Sequence, residues 1–235
     1  CLVGTTGAWR NQARADARQD RTVLVHDGVP PNQLCCDTTL RQMPDASWVI
    51  LQLALGHTEP VPANRVCMSR STDEGRTWSP LAPVDLGIKS HHPETALCPS
   101  EVQVHQGRVT MVVSTHNGGF GEWRTFFTHS DDSCRSWSPL TPAPGRLAER
   151  TFIRNSILTR DGRLLMPFQH FLTCDQEASR ISAGRFFHTP RGPRNGVISS
   201  ANNGQTWTEH GDIRLTNDDT YHGWAENNIV ERNPA

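Results

Sequence analysis

The sequence contains no apolar run near the length needed to cross a bilayer as a helix. It has a single lysine, Lys89, and a single tyrosine, Tyr221. Arginine therefore carries nearly all the positive charge, and the acids balance it to a formal net charge of −1. A chain so balanced offers no electrostatic footprint for nucleic acid. Seven cysteines are present, but no C-x-x-C pair and no zinc-type ligand spacing. Cys35 and Cys36 are adjacent, and most of the others stand in apolar, strand-like contexts, so most are expected to be buried free thiols. Spacing implies no metal or other cofactor; a structural calcium held by loop carbonyls would leave little trace in sequence. No stretch shows a convincing amphipathic-helix period.

What the chain does have is turns. Glycine (18) and proline (16) are plentiful enough for many short strands. One octapeptide recurs three times. Ser71-Thr72-Asp73-Glu74-Gly75-Arg76-Thr77-Trp78 is the cleanest copy. Ser130-Asp131-Asp132-Ser133-Cys134-Arg135-Ser136-Trp137 and Ser200-Ala201-Asn202-Asn203-Gly204-Gln205-Thr206-Trp207 are looser ones. The hydroxyl and the Asp or Asn can hydrogen-bond nearby amides and hold a tight turn. The glycine suits a backbone with φ > 0, and the tryptophan buries a large ring that anchors the turn. Strand-like residues precede each copy (Val66-Cys67-Met68; Phe126-Phe127; Val197-Ile198), so the unit reads as strand, turn, strand.

A second repeat precedes each octapeptide: Met43 to Ile50, Val104 to Met111 and Thr159 to Met166. Each is an apolar strand, an Asp- or Gly-containing turn and another apolar strand. Two such hairpins make a four-stranded blade, and a repeat on this scale means an architecture built from copies of one unit.

The octapeptides resemble the Asp-box (BNR repeat) of the sialidase-like, or neuraminidase, β-propellers. The resemblance covers roughly residues 35 to 231 and implies an all-β propeller of four-stranded blades. About three full blades fit in this chain, with an incomplete piece containing strand-like Thr22-Val23-Leu24-Val25 before them and a strand-like opening, Asn228 to Glu231, after them. It is therefore expected to be a fragment of a propeller of about six blades. The expected organisation is an N-terminal extension or partial blade over 1–30 and the propeller domain over 31–235, incomplete at its C-terminus. The stretch 172 to 196, with Gly184, Pro190, Gly192 and Pro193, reads as a long insertion between strands, of the kind that often carries function.

Blade topology sorts the remaining residues. Strand one descends beside the central axis and strand two returns, so residues before the first and after the second share one face. The octapeptide turns, between strands three and four, fall on the opposite face. Their residues Ser71, Asp73, Gly75, Trp78, Ser130, Asp132, Trp137, Ser200, Asn202, Gly204 and Trp207 are accordingly structural. Before strand one stand Asp37, the Ser100-Glu101 pair, the Arg154-Asn155 pair and Glu226; after strand two stand His57, His116 and His170. Clustered titratable groups in a concave site suit acid–base chemistry. The plain alternative is that the histidines only cap strand ends.

Gly223-Trp224-Ala225-Glu226-Asn227-Asn228-Ile229-Val230-Glu231 resembles the sialidase segment whose glutamate sits beside the catalytic tyrosine. The resemblance makes Glu226 the acid–base partner, with Asp37 or Glu101 as a second carboxylate. It does not make Tyr221 the nucleophile, because the family keeps that tyrosine in a late blade. The Arg-Ile-Pro motif of the family is absent. Its three-arginine clamp is represented by Arg154, whose guanidinium can bind a carboxylate through two parallel hydrogen bonds; an ion pair with a neighbouring acid is the other reading.

The leading function is an exo-glycosidase that removes a terminal acidic sugar, of sialic or uronic acid type, from a glycan or oligosaccharide. Asn155, His57, Tyr221, His222 and Trp224 would contact the sugar, and His57, His116 and His170 would be subsite or proton-transfer groups. A polysaccharide lyase with His116 or His170 as base is one alternative. A non-catalytic glycan-binding propeller, with Trp123, Trp224 or Phe120 stacked on sugar faces, is another. A secreted or periplasmic location would follow from that substrate class alone.

Overall fold

The computed structural model describes residues 22–59, 61–87, 96–116, 123–174, 190–213 and 227–232. These form three antiparallel sheets, each built from consecutive strands. The first contains β1 (Cys35–Gln42), β2 (Trp48–Ala54), β3 (Arg65–Ser71) and β4 (Ala82–Pro83). The second contains β5 (Ala96–His105), β6 (Arg108–His116), β7 (Arg124–Ser130) and β8 (Thr141–Pro142). In the third, β9 (Thr151–Ile153) and β10 (Ile157–Leu158) share the position of strand one. Both pair with β11 (Leu164–Cys174), followed by β12 (Pro190–Ser200) and β13 (Thr208–Ile213). A 3-10 turn, Gly145–Ala148, lies between the second and third sheets. The sheets are propeller blades, and β1, β5 and β9–β10 are their inner strands.

The core lies between the blades rather than within any one of them. Val49, Leu51 and Val66 of the first blade pack with Val102, Val109, Met111 and Val113 of the second. Val112 and Phe127 of the second pack with Ile153, Met166, Phe168 and Ile198 of the third. Successive side chains of a strand point to opposite faces. Hence Val109, Met111 and Val113 of β6 face one neighbour while Val112 faces the other. That is why Met111, Val112 and Val113 are consecutive apolar residues in the middle of β6.

The three octapeptide turns close alike. The serine hydroxyl accepts the amide of the residue four positions on, at 2.8 Å in each case: Gly75, Cys134 and Gly204. The Asp73 carboxylate accepts the Thr77 amide and hydroxyl at 2.8 and 2.7 Å. Asp132 accepts those of Ser136 at 2.9 and 2.6 Å. Asn202 accepts the Thr206 amide at 2.9 Å, but its own side-chain amide donates to the Thr206 hydroxyl at 2.8 Å. Asparagine thus keeps the turn by reversing one hydrogen bond. Cys134 stands where the other turns have glycine, at φ 66°, and its thiol is buried 3.3 Å from Met43 Sδ of the first blade. Core packing offsets the backbone cost of a side chain there.

These turns also join the blades. Arg135 donates to Asp45, in the β1–β2 turn of the first blade, at 2.6 Å. Arg70 bridges Ser47 and the Ser133 carbonyl. Trp207 stacks on Phe127 of the second blade at 5.0 Å.

Three sequence expectations change. The stretch 172 to 196 is not simply an insertion, because the β11–β12 ladder continues to the pair Cys174↔Pro190. Pro190 and Pro193 are tolerated because β13 pairs with β12 only from Asn195 onward, so β12 is an edge among the described residues there. Thr22 to Val25 and Asn228 to Glu231 are not strands. A strand requires a ladder partner, and none of the described residues pairs with either segment as a strand. The second segment nonetheless lies along the third blade: Asn227 donates to the Phe168 carbonyl at 2.8 Å, and the Arg160 amide donates to Glu231 at 3.3 Å.

Two outcomes follow from this packing. A Cβ on Gly196 would meet Phe168 Cζ at 2.5 Å and the His210 carbonyl oxygen at 2.7 Å. Gly196→Ala should therefore lower stability by about 1–3 kcal/mol in denaturant unfolding; an unchanged midpoint would contradict this packing. The Thr77 hydroxyl and amide hold the Asp73 carboxyl down to about 2, and the Ser47 hydroxyl does the same for Asp45, also to about 2. Unfolded carboxyls titrate near 3.9. The stabilisation is complete above that value and is lost as pH falls through about 2. The unfolding midpoint of Asp73→Asn should therefore fall less steeply than that of the parent on acidification from about pH 4. Equal slopes would show that the turn does not titrate in this way.

Candidate functional site

Each inner strand carries one residue more than its partner at nearly the same depth. Asp37 and Thr38 together oppose Gln52 between the pairs Cys36↔Leu53 and Thr39↔Leu51. Ser100 is the extra residue between Pro99↔Val113 and Glu101↔Val112. Arg154, Asn155 and Ser156 oppose only Met166 and Pro167 between Ile153↔Phe168 and Ile157↔Leu165. A bulge bends the strand and re-aims its side chains, and bulges favour active-site rims. Asp37 and Asn155 have φ values of 49° and 68°, a region that Asp and Asn enter more readily than most residues.

These bulges correct the placement of the site residues. Asp37 lies inside β1 and Glu101 inside β5, not before them. Arg154 and Asn155 lie between β9 and β10. His57 does stand just past β2. His116 is the last residue of β6, and its side chain lies outside the described residues. His170 is within β11, since that strand runs on to Cys174. Glu226, Tyr221, His222, Trp224 and Phe120 lie outside the described residues.

Asp37 is exposed at its bulge. The structure adds two residues that the sequence did not single out, Cys36 and Glu59. The Cys36 thiol donates to the Glu59 carboxylate at 3.2 Å, and ligand-type atoms of Cys36, Asp37 and Glu59 all lie within 4.8 Å of one another. Glu59 follows β2 in the same loop as His57, so the topological rule that selected the histidine also reaches the glutamate.

Cys98 links the blades electrostatically. It lies on β5 and is buried. Burial pushes its thiol well above the ordinary value; Asp37, Glu59 and Cys36 of the first blade push the same way, and Arg154 of the third opposes them. An acidic pair from one blade and a guanidinium from another therefore act on one buried group. Arg154 is half-buried, with its guanidinium carbon 5.4 Å from the centre of the Phe152 ring.

Other named residues are engaged in holding the blades together. Glu101 is buried and accepts from Arg41 of β1 at 3.3 Å and from the Ser156 hydroxyl at 2.8 Å. One carboxylate thus ties all three inner strands. Asn155 bonds Asn228 through its side-chain amide. Trp123 is buried with its ring 4.1 Å from that of Phe152, so it is no open sugar platform. His170 is buried, and its Nδ1 lies 2.7 Å from the Thr151 hydroxyl.

No protein-family model matches the chain, and no curated protein sequence does. By structure it is similar to the Hadza microbial sialidase Hz136, with TM-score 0.59 and 20% identity over 80% of this chain and 39% of that one. It is similar to a protein of unknown function from Dyadobacter fermentans, with TM-score 0.58 and 15% identity over 83% and 58%. It also resembles the NanB sialidase of Streptococcus pneumoniae, with TM-score 0.53 and 12% identity over 85% and 47%. The fold is that of a sialidase-like β-propeller. The chain spans only 39% and 58% of the lengths of the first two of these proteins.

The two carboxylates differ in what they hold. Glu101→Ala removes a buried acceptor of Arg41 and Ser156, which keep the Val102 and Leu40 carbonyls and Gln103 respectively, and should cost about 0.5–1.5 kcal/mol in denaturant unfolding. Asp37→Asn at the exposed bulge should stay within about 0.5 kcal/mol of the parent. The reverse order would make Asp37 the structural residue of the two.

Proposed function

We propose that this chain is the catalytic-face portion of a glycan-active enzyme that removes a terminal acidic sugar, of sialic or uronic acid type, by hydrolysis. The supporting observation is that all three inner strands are interrupted by a bulge at nearly the same depth, at Asp37–Thr38, Ser100 and Arg154–Ser156, with ligand-type atoms of Cys36, Asp37 and Glu59 gathered within 4.8 Å at the first of them. Asp37 serves as the proton donor to the leaving oxygen, because it is exposed where Glu101 is buried and tied. Arg154 binds the sugar carboxylate through its planar fork. Glu226 takes up a proton from the nucleophile, a role that rests on the resemblance of its flanking sequence. Glu59 places a second carboxylate beside Asp37. The finer assignment of the three Trp turns as Asp-boxes fits their shared serine-to-amide closure. It also fits a division of labour in which these turns brace the face opposite the site.

The test is release of fluorophore from sialic acid and uronic acid glycosides by the protein. Asp37→Asn and Arg154→Met should each lower kcat/KM by about 10²–10³-fold. An unsaturated, ultraviolet-absorbing product in place of a hydrolysed one would replace hydrolysis by lyase chemistry. Glycan binding without turnover would leave a lectin-like propeller, and neither binding nor turnover would remove the glycan reading.

A further inference from the structure

Arg150 differs from most arginines of this chain. Arg41, Arg108, Arg135, Arg146 and Arg163 each donate to a carboxylate. Arg150 is half-buried, and its Nε is buried with no acceptor. Among the described residues nothing accepts from its terminal nitrogens either. Only Nε is shut off from solvent, so the two terminal nitrogens are the points at which a ligand can be met. A guanidinium held against the protein with no acceptor of its own requires a physical reason.

The backbone there is constrained as well. Arg150 has φ 48°, in the left-handed region that bulky residues seldom enter. Its amide donates to the Trp123 carbonyl of the second blade at 3.1 Å. Such conformations persist where the surroundings fix them, and they gather at ligand clamps. The Arg124 guanidinium donates to the same carbonyl at 3.0 Å and pairs with Glu149 at 3.6 Å, so Glu149 has a cation of its own. Two guanidiniums against one carboxylate leave this corner of the second and third blades with an excess of positive charge. Arg150 precedes β9 and Arg124 opens β7. Blade topology puts both at the end of the seam where the inner strands begin.

We infer that Arg150 is an anion-binding residue that takes a carboxylate or sulfate ester on the sugar next to the terminal one. The inference rests on the glycan reading above, in which Arg154 holds the carboxylate of the terminal sugar itself. β9 separates the two arginines by three extended residues, about 10–13 Å of chain. That separation suits two successive sugars. A planar guanidinium meets either anion through two parallel hydrogen bonds, and a side chain already held in place loses little freedom on binding.

Titration of the protein with inorganic sulfate, followed through the ¹H–¹⁵N correlations of the arginine Nε–H groups, tests this. Arg150 is assigned by the signal lost in Arg150→Gln. Arg150→Lys, which keeps the charge without the fork, serves instead should the glutamine variant fail to fold. The Arg150 signal should shift and saturate with sulfate, and chloride at equal ionic strength should move it little. No saturable shift, or an equal shift with chloride, would overturn the inference. The place on the glycan is read from oligosaccharides that differ only in a charged or a neutral second sugar. The parent should favour the charged member, and Arg150→Gln should reduce that ratio of kcat/KM values about tenfold. An unchanged ratio would overturn the assignment to the second sugar. Sulfate-ester and uronate forms of the charged member show which anion is preferred. If no glycan were turned over, the reaction proposed above would fall, while the sulfate titration would still decide the anion site.

Discussion

A blade of this protein cannot bury its apolar residues alone, and that constraint organises the rest. Val109, Met111 and Val113 need the first blade, while Val112 needs the third. The hydrophobic stabilisation therefore exists only in the seams. Polar groups follow the same rule. Glu101 reaches both Arg41 and Ser156, and the Asp45–Arg135 pair joins the first blade to a turn of the second. Seams carry the energy, and the inner strands they press together carry the candidate site.

Local hydrogen bonding explains what the sequence made legible. In each Trp turn, hydroxyl, acid or amide, and positive-φ residue bond to one another within a few positions, so the pattern survives Cys134 and Asn202. The inner hairpins were equally readable: β1–β2, β5–β6 and β10–β11 turn within the segments that the second repeat marks. The bulges were not. One added residue at Asp37–Thr38, Ser100 or Arg154–Ser156 leaves no mark in apolar alternation, so Asp37 and Glu101 looked as if they preceded strands that in fact contain them. Pro190 and Pro193 suggested a loop because proline suits few ladder positions, yet an edge is one of them. Glu59 escaped because its loop has no period. Its partnership with Cys36 is a contact of folding, not of spacing.

Chemistry at the candidate site falls to oxygen and nitrogen rather than sulfur. Among the described residues Cys35, Cys36, Cys67, Cys98 and Cys134 are thiols rather than disulfides. Burial is the leading cause that raises the thiols of Cys36 and Cys98, with nearby carboxylates adding to it. Thiols held in their protonated form are poor nucleophiles. The adjacent cysteines thus pack and donate, while Asp37, Glu59 and Arg154 supply charge.

The outermost strands of the first two blades are only two residues long, and each ends in proline: Ala82–Pro83 and Thr141–Pro142. Proline has no amide hydrogen to offer a passing strand. A fold made of stacked sheets would otherwise present long, adhesive rims to its own copies. On these two blades the rim is blunted, so crowded molecules find little template there for lateral β-assembly, and extra sequence grafted at these rims would disturb few ladder bonds.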